Sequence, residues 1–217
     1  MTTDAQVLGT GRDLLSLSPV IPVVVIDDVA DAVPLARALA RGGIAVMEIT
    51  LRTEAGLGAI ERVAAEVPET TVGAGTVTTP EEAAAAQQAG AQFIVTPGAT
   101  DRLLTAVLDT GLPLLAGAST LTEILRLREH GQQAVKFFPA EAAGGAAYLS
   151  AVAGPVPDVR FCPTGGITPG NAASYLALPN VGCVGGSWLT PRADVRAGDW
   201  AAIERLAAGA ATLAVGG

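Results

Sequence analysis

The chain has 217 residues, half of them hydrophobic but only 4% aromatic, and a formal net charge of −8. That length suits one domain, and an apolar half made mostly of Ala, Val and Leu is ample for a large core. The acidic balance argues against nucleic acid, whose binding relies on lysines and arginines that neutralise phosphates. No apolar stretch approaches the roughly eighteen residues that would span a bilayer. The start, Met1 to Gln6, lacks the basic opening and apolar core of a secretory signal, so a cytoplasmic setting is expected.

The first fifteen or so residues read as an extra helix leading into a first strand. From there, short β-branched runs alternate with Ala-rich helical runs. The predicted strands are Val20–Ile26, Val46–Leu51, Thr71–Gly75, Phe93–Thr96, Leu112–Ala116, Ala134–Phe138, Val159–Cys162 and Val181–Val184. Most are continuous apolar runs, as expected of parallel strands covered on both faces. Eight β–α repeats predict one (β/α)8 TIM barrel domain over residues 1–217, with an open doubly wound sheet as the alternative. Helix starts support the phase: Thr79-Pro80-Glu81-Glu82 and Thr120 with Glu123 both read as capping boxes. Helix ends fall at Ala89-Gly90 and His130-Gly131, where the lone His130 reads as a structural helix terminus.

The second strand carries Glu48, Thr50 and Arg52 at alternate positions, so these three polar side chains share one face. The favoured reading makes Glu48 a proton shuttle and Arg52 a clamp for a carboxylate, which guanidinium binds with two parallel hydrogen bonds. An internal Glu48–Arg52 ion pair is the plainer alternative. The sixth strand holds the only lysine, Lys136, inside Ala134-Val-Lys-Phe-Phe-Pro139; the other basic residues are twelve arginines. A lysine among Val135, Phe137 and Phe138 is desolvated, which favours the neutral, nucleophilic amine that condenses with ketones. Its plainer reading is a stem packed on the core with a head reaching water. Strands two and six lie opposite one another in a barrel, so Glu48 and Lys136 are expected to converge. Carbon–carbon cleavage through an imine needs such an acid–base partner.

The seventh strand ends Pro163-Thr-Gly-Gly-Ile167, and the eighth runs into Gly185-Gly-Ser-Trp188. Glycines let backbone amides approach an anion, and barrels often hold phosphate on the loops after these two strands. Neither segment matches a nucleotide-binding fingerprint, so no nucleotide is expected. Cys162 and Cys183 read as buried free thiols in a reducing compartment. One histidine and two separated cysteines give no metal-ligand spacing, so no metal or other cofactor is expected.

Six ordered pieces, Glu48–Thr53, Gly73–Val77, Thr96–Gly98, Val135–Ala140, Pro163–Ile167 and Gly185–Trp188, resemble the 2-keto-3-deoxy-6-phosphogluconate (KDPG) and 4-hydroxy-2-oxoglutarate (KHG) aldolase family. The resemblance runs in register from about Pro19 to Trp188. It implies Lys136 as the imine-forming lysine and Glu48 as the general acid–base. It places pyruvate's carboxylate on Arg52 and the Thr76 region, with Pro97 and Phe138 as apolar walls. Thr164 would meet substrate hydroxyls, and phosphate would sit on amides around Gly165, Gly166, Gly186 and Ser187. The first eighteen residues and the segment from Asp199 onward lie outside these motifs. It further implies a homotrimer and a place in sugar-acid breakdown such as the Entner–Doudoroff route.

The expected reaction is reversible cleavage of the phosphorylated sugar acid to pyruvate and glyceraldehyde 3-phosphate, with KHG as a second candidate substrate and the C4-epimeric phosphogalactonate as another. The rivals are a phosphate-binding barrel isomerase or synthase without imine chemistry, and a non-catalytic sugar-phosphate binder.

Overall fold

The computed structural model describes residues 9–214. Eight parallel strands form one sheet in the order β7-β6-β5-β4-β3-β2-β1-β8. They are β1 (Val20–Val24), β2 (Val46–Thr50), β3 (Thr71–Gly75), β4 (Ile94–Val95), β5 (Leu114–Ala118), β6 (Ala134–Phe137), β7 (Arg160–Pro163) and β8 (Val184–Gly186). Bridges Phe161 to Val181 and Thr164 to Gly185 join β7 to β8 and close the ring. The open-sheet alternative is therefore overturned, because its two edge strands would lie unpaired at opposite ends.

Helices cover the outside. A single turn, α1 (Gly11–Leu14), precedes β1. The others are α2 (Ala32–Arg41), α3 (Ala55–Glu66), α4 (Pro80–Gln88), α5 (Asp101–Asp109), α6 (Leu121–Glu129), α7 (Gly145–Val152), α8 (Ala172–Leu176), α9 (Arg192–Ala197) and α10 (Trp200–Ala211). Both expected capping boxes form, with Glu82 and Glu123 reaching back to the amides of Thr79 and Thr120. Each such cap typically contributes about 1 kcal/mol. His130 caps the end of α6, its Nδ1 lying 2.9 Å from the Arg126 carbonyl, the structural place expected of it.

Most of the expected leading helix, residues 1–8, falls outside the described residues, and the helix that is described is the one turn of α1, capped by Thr10 and Asp13. It packs so closely on the start of β5 and β6 that a methyl on Gly11 would lie 2.5 Å from the Leu114 carbonyl oxygen. At the other end of the chain α10 packs on α2, where Ala207 occupies the space a side chain at Gly42 would need. Arg41 and Glu204 bridge this contact at 2.7 Å.

Only β3 keeps its predicted bounds; β1, β2, β4, β6 and β7 shift at their ends by one or two residues, and β5 and β8 move further. β5 begins at Leu114 rather than Leu112 and continues through Gly117 and Ala118, held by pairing with Lys136 and Phe137. β8 begins where the predicted strand ended, because pairing with Ile21 and Pro22 selects Gly185 and Gly186 as strand residues. The Gly185-Gly186 pair is thus part of the barrel wall and not a loop beyond it.

Candidate active site

Strand register decides what the barrel encloses. Outward positions on β6 feed the helix layer: Val135 is fully buried, and the Phe137 ring stacks on Tyr148 of α7 with centroids 5.1 Å apart. Lys136, between them, points inward. On β2, Met47 and Ile49 are likewise fully buried on the outer face, and Glu48 points inward.

The two inward charges meet. Lys136 Nζ lies 3.2 Å from Glu48 Oε1, with 4% and 3% of the two residues exposed. They span the barrel because their strand neighbours are glycines. Gly73 pairs with Glu48, Gly75 with Thr50, Gly117 with Lys136 and Gly185 with Thr164. A methyl at Gly75 would collide with the Glu48 carboxylate, one at Gly117 with the Pro97 carbonyl, and one at Gly185 with the Thr164 hydroxyl. The Phe93 ring takes the room a side chain at Gly73 would need.

The alternative Glu48–Arg52 ion pair does not form: Glu48 pairs with Lys136 and Arg52 bonds to Thr76. Thr50 donates to the Val24 carbonyl at 2.9 Å, tying the ends of β1 and β2 together. Exposed Arg52 donates through Nε to Thr76 Oγ1 at 3.1 Å, which leaves its two terminal nitrogens for a ligand. Thr76 is the one described non-glycine residue with positive φ, at 58°. A β-branched residue in that region is strained, and such strain collects at functional sites.

The remaining predicted residues lie at the ends of β4, β6, β7 and β8. The Phe138 ring centroid lies 5.4 Å from Lys136 Nζ, within range of a cation–π contact. Pro97 follows β4 and packs its carbonyl on Gly117. Thr164 is buried at the end of β7 and donates to the Cys162 carbonyl at 3.3 Å. Gly165 and Gly166 follow it with φ of 96° and 80°. Gly186 ends β8, and exposed Ser187 follows it. Among the described residues the amides of Gly165, Gly166 and Ser187 have no hydrogen-bond partner.

Cys162 and Cys183 are free, buried thiols as expected. Cys162 pairs in register with Lys136. The hydrogen bond with Cys162, followed by burial, pushes the Cys183 thiol well above its usual value and keeps it protonated. A cavity of about 530 Å³ lies at the opposite end of the barrel, between Leu15 to Pro19 and Arg160, and contains none of the predicted site residues. Among the described residues no cluster could hold a metal ion, and no helix is long and apolar enough to cross a membrane.

Gly73, Gly75 and Gly185 lie in motifs the sequence singled out, but their part in making room for the pair, and Gly117 altogether, went unread there. Gly73 and Gly75 stand at alternate positions of one strand, a signal that this face carries no side chains, but only register shows that they face Glu48. We expect Gly75→Ala to displace the Glu48 carboxylate and lower kcat by about 100-fold, the scale of a 1 Å misplacement. A kinetic assay beside a thermal melt checks this; an unchanged kcat would mean that Glu48 tolerates the methyl.

Fold and site together define a (β/α)8-barrel enzyme with a buried lysine–carboxylate pair inside it. The family model described as KDPG and KHG aldolase matches residues 12–206. A 2-dehydro-3-deoxy-phosphogluconate aldolase of Pseudomonas aeruginosa is 54% identical over 187 residues, covering 86% of this chain and 85% of that protein. The crystal structure of KDPG aldolase from Legionella pneumophila, with pyruvate captured as a covalent carbinolamine, superposes with a TM-score of 0.92 at 43% identity, covering 94% and 98% of the two chains. That of the Zymomonas mobilis aldolase with 3-phosphoglycerate gives 0.88 at 43% identity, covering 94% and 95%. The chain belongs to the KDPG and KHG aldolase family and is a carbon–carbon lyase. The isomerase and binding-protein rivals fall with that membership.

Proposed function

We propose that this aldolase, as a single domain, cleaves 2-keto-3-deoxy-6-phosphogluconate to pyruvate and glyceraldehyde 3-phosphate through an imine on Lys136. The observation that carries the reading is the Lys136–Glu48 contact inside a glycine-lined barrel, which puts a nucleophile and a proton acceptor at one point. Lys136 Nζ adds to the C2 ketone, and loss of water gives the iminium. Glu48, through a water, takes the C4 hydroxyl proton. The C3–C4 electrons flow into the iminium, releasing the aldehyde and leaving an enamine. Protonation at C3 and addition of water then free pyruvate and restore the amine.

The free terminal nitrogens of Arg52, set by the Thr76 contact, hold pyruvate's carboxylate. Phe138 and Pro97 wall the pyruvyl methyl group, and Thr164 reaches the substrate hydroxyls. The amides of Gly165, Gly166 and Ser187, with Gly186 beside them, take the phosphate. The pyruvate carbinolamine in the Legionella enzyme supports covalent pyruvate chemistry, and 3-phosphoglycerate in the Zymomonas enzyme supports a phosphorylated substrate. A homotrimer working in the cytoplasm on sugar-acid breakdown belongs to the same proposal.

The family name also carries KHG, which lacks phosphate and yields pyruvate by the same steps. A coupled pyruvate assay on both substrates tests the order of preference. Hydrogen bonds to a charged group contribute about 1.5–3 kcal/mol, so kcat/KM should favour the phosphorylated acid by about 10- to 100-fold. Equal or reversed values would remove the phosphate role of the glycine turn.

A further inference from the structure

The turn Thr164-Gly165-Gly166 presents amides to the barrel mouth only if its carbonyls are held the other way. All three are. The Thr164 carbonyl accepts from the Ala140 amide at 2.8 Å, and the Gly165 carbonyl from the Glu141 amide at 3.1 Å. The Gly166 carbonyl accepts from Asn171 Nδ2 at 3.0 Å. Glu141 also supports the turn with its side chain. A methyl on Gly166 would lie 2.5 Å from Glu141 Cγ and 2.7 Å from its Cβ, so the side chain occupies that space.

This arrangement has a hazard. Glu141 carries a carboxylate beside amides that would serve an anion, and like charges in one site repel. Tyr175, only 1% exposed on α8, donates its hydroxyl to Glu141 Oε1 and fixes the carboxylate away from the turn. Gly145 leaves room for the pair, since a methyl there would lie 3.2 Å from the Tyr175 oxygen. Burial, and then the Glu141 carboxylate, push the Tyr175 hydroxyl above its ordinary range, so it stays a donor throughout the working pH range. Asn171 stands immediately before α8, so the start of this helix holds the turn while its fourth residue holds Glu141.

We propose that Glu141 and Tyr175 are positioning residues which keep the Gly165-Gly166 amides open to the substrate's phosphate and so set the preference for phosphorylated over unphosphorylated substrates. This rests on the phosphate role assigned to that turn above. Neither residue hydrogen-bonds to Lys136 or Glu48. Their effect should therefore appear in KM for the phosphorylated acid and not in imine formation.

The test compares wild type, Tyr175→Phe, Glu141→Gln and the double variant on the phosphorylated acid and on KHG, with borohydride trapping of pyruvate on each. Tyr175→Phe should raise KM for the phosphorylated acid about tenfold, the scale of one lost hydrogen bond. Its kcat, its KHG kinetics and its trapping should stay near wild type. Glu141→Gln keeps an acceptor for Tyr175 and should hold KM near wild type. Adding Glu141→Gln to Tyr175→Phe should recover most of the lost affinity, because the repelling charge is gone. Equal losses on both substrates would reduce the pair to a structural brace and overturn the proposal, as would no change on either. If Tyr175→Phe does not fold, Asn171→Ala, which releases the Gly166 carbonyl, must show the same split between substrates. A wild-type enzyme that trapped pyruvate but showed no preference for the phosphorylated acid would overturn the phosphate reading and this proposal together, leaving the imine chemistry intact.

Discussion

Replacing Lys136 by glutamine should abolish imine formation and lower kcat on the order of 10⁶-fold, the scale seen when a covalent nucleophile is removed. Glutamine is the informative choice. Removing one partner of a buried ion pair typically costs about 3–5 kcal/mol, because the other charge is left uncompensated. A side-chain amide still donates to Glu48 and limits that loss. Circular dichroism should therefore show a folded barrel while the pyruvate assay shows no turnover above background. A Lys136→Gln protein that kept even a hundredth of wild-type kcat would mean that the carbon–carbon bond breaks without an imine on this residue.

Replacing Glu48 by glutamine should lower kcat by about 10²–10⁴-fold, the usual contribution of a positioned general acid–base. The signature differs from that of the lysine variant. Glutamine preserves the size and the contact with Lys136 but cannot accept the C4 hydroxyl proton. Pyruvate should still be trapped on Lys136 by borohydride, though more slowly, while cleavage of the sugar acid nearly stops. Turnover within threefold of wild type would remove Glu48 from proton transfer and leave it as the lysine's counter-charge.

The two central side chains were legible because each is a charge inside a run that otherwise reads as a buried strand. Lys136 between Val135 and Phe137, and Glu48 between Met47 and Ile49, have no reason to be there unless the inner face is used. The eight strands were legible for the same reason: a parallel sheet covered by helices is apolar on its outer face, and that pattern survives in the sequence. Boundaries were less so. Gly185 and Gly186 have little strand propensity, and only their pairing with Ile21 and Pro22, far earlier in the chain, makes them strand. Leu112 failed as a strand start because the pairing of β5 with β4 begins only at Leu114, opposite Ile94.

Arg52 shows what local spacing leaves open. Its position on the same strand face as Glu48 allowed an ion pair along the strand beside the favoured role as a clamp. Glu48 finds its partner across the barrel instead, and Arg52 finds the hydroxyl of Thr76 on the neighbouring β3–α4 loop. Thr76 entered the site through family resemblance, while its positive φ belongs to the fold and has no counterpart in the sequence pattern. The Glu141–Tyr175 contact joins residues 34 positions apart in two loop-flanked segments. Nothing in composition or periodicity pairs them. Glu141 had one visible oddity, a charge soon after the lysine strand, and that becomes meaningful only once Gly166 is seen against its side chain.

The mechanism requires Lys136 to form a covalent bond to a ketone, and one measurement tests this directly. Wild-type protein is incubated with pyruvate, reduced with borohydride, and analysed by intact mass and then by peptide mapping. With a single lysine in the chain, the chain's amino terminus is the only other amine that can compete. One reduced pyruvyl adduct on the peptide containing Lys136 is the predicted result. A folded protein with no adduct, or with the adduct only on the terminal amine, would contradict the imine mechanism and with it the role given to the Lys136–Glu48 pair.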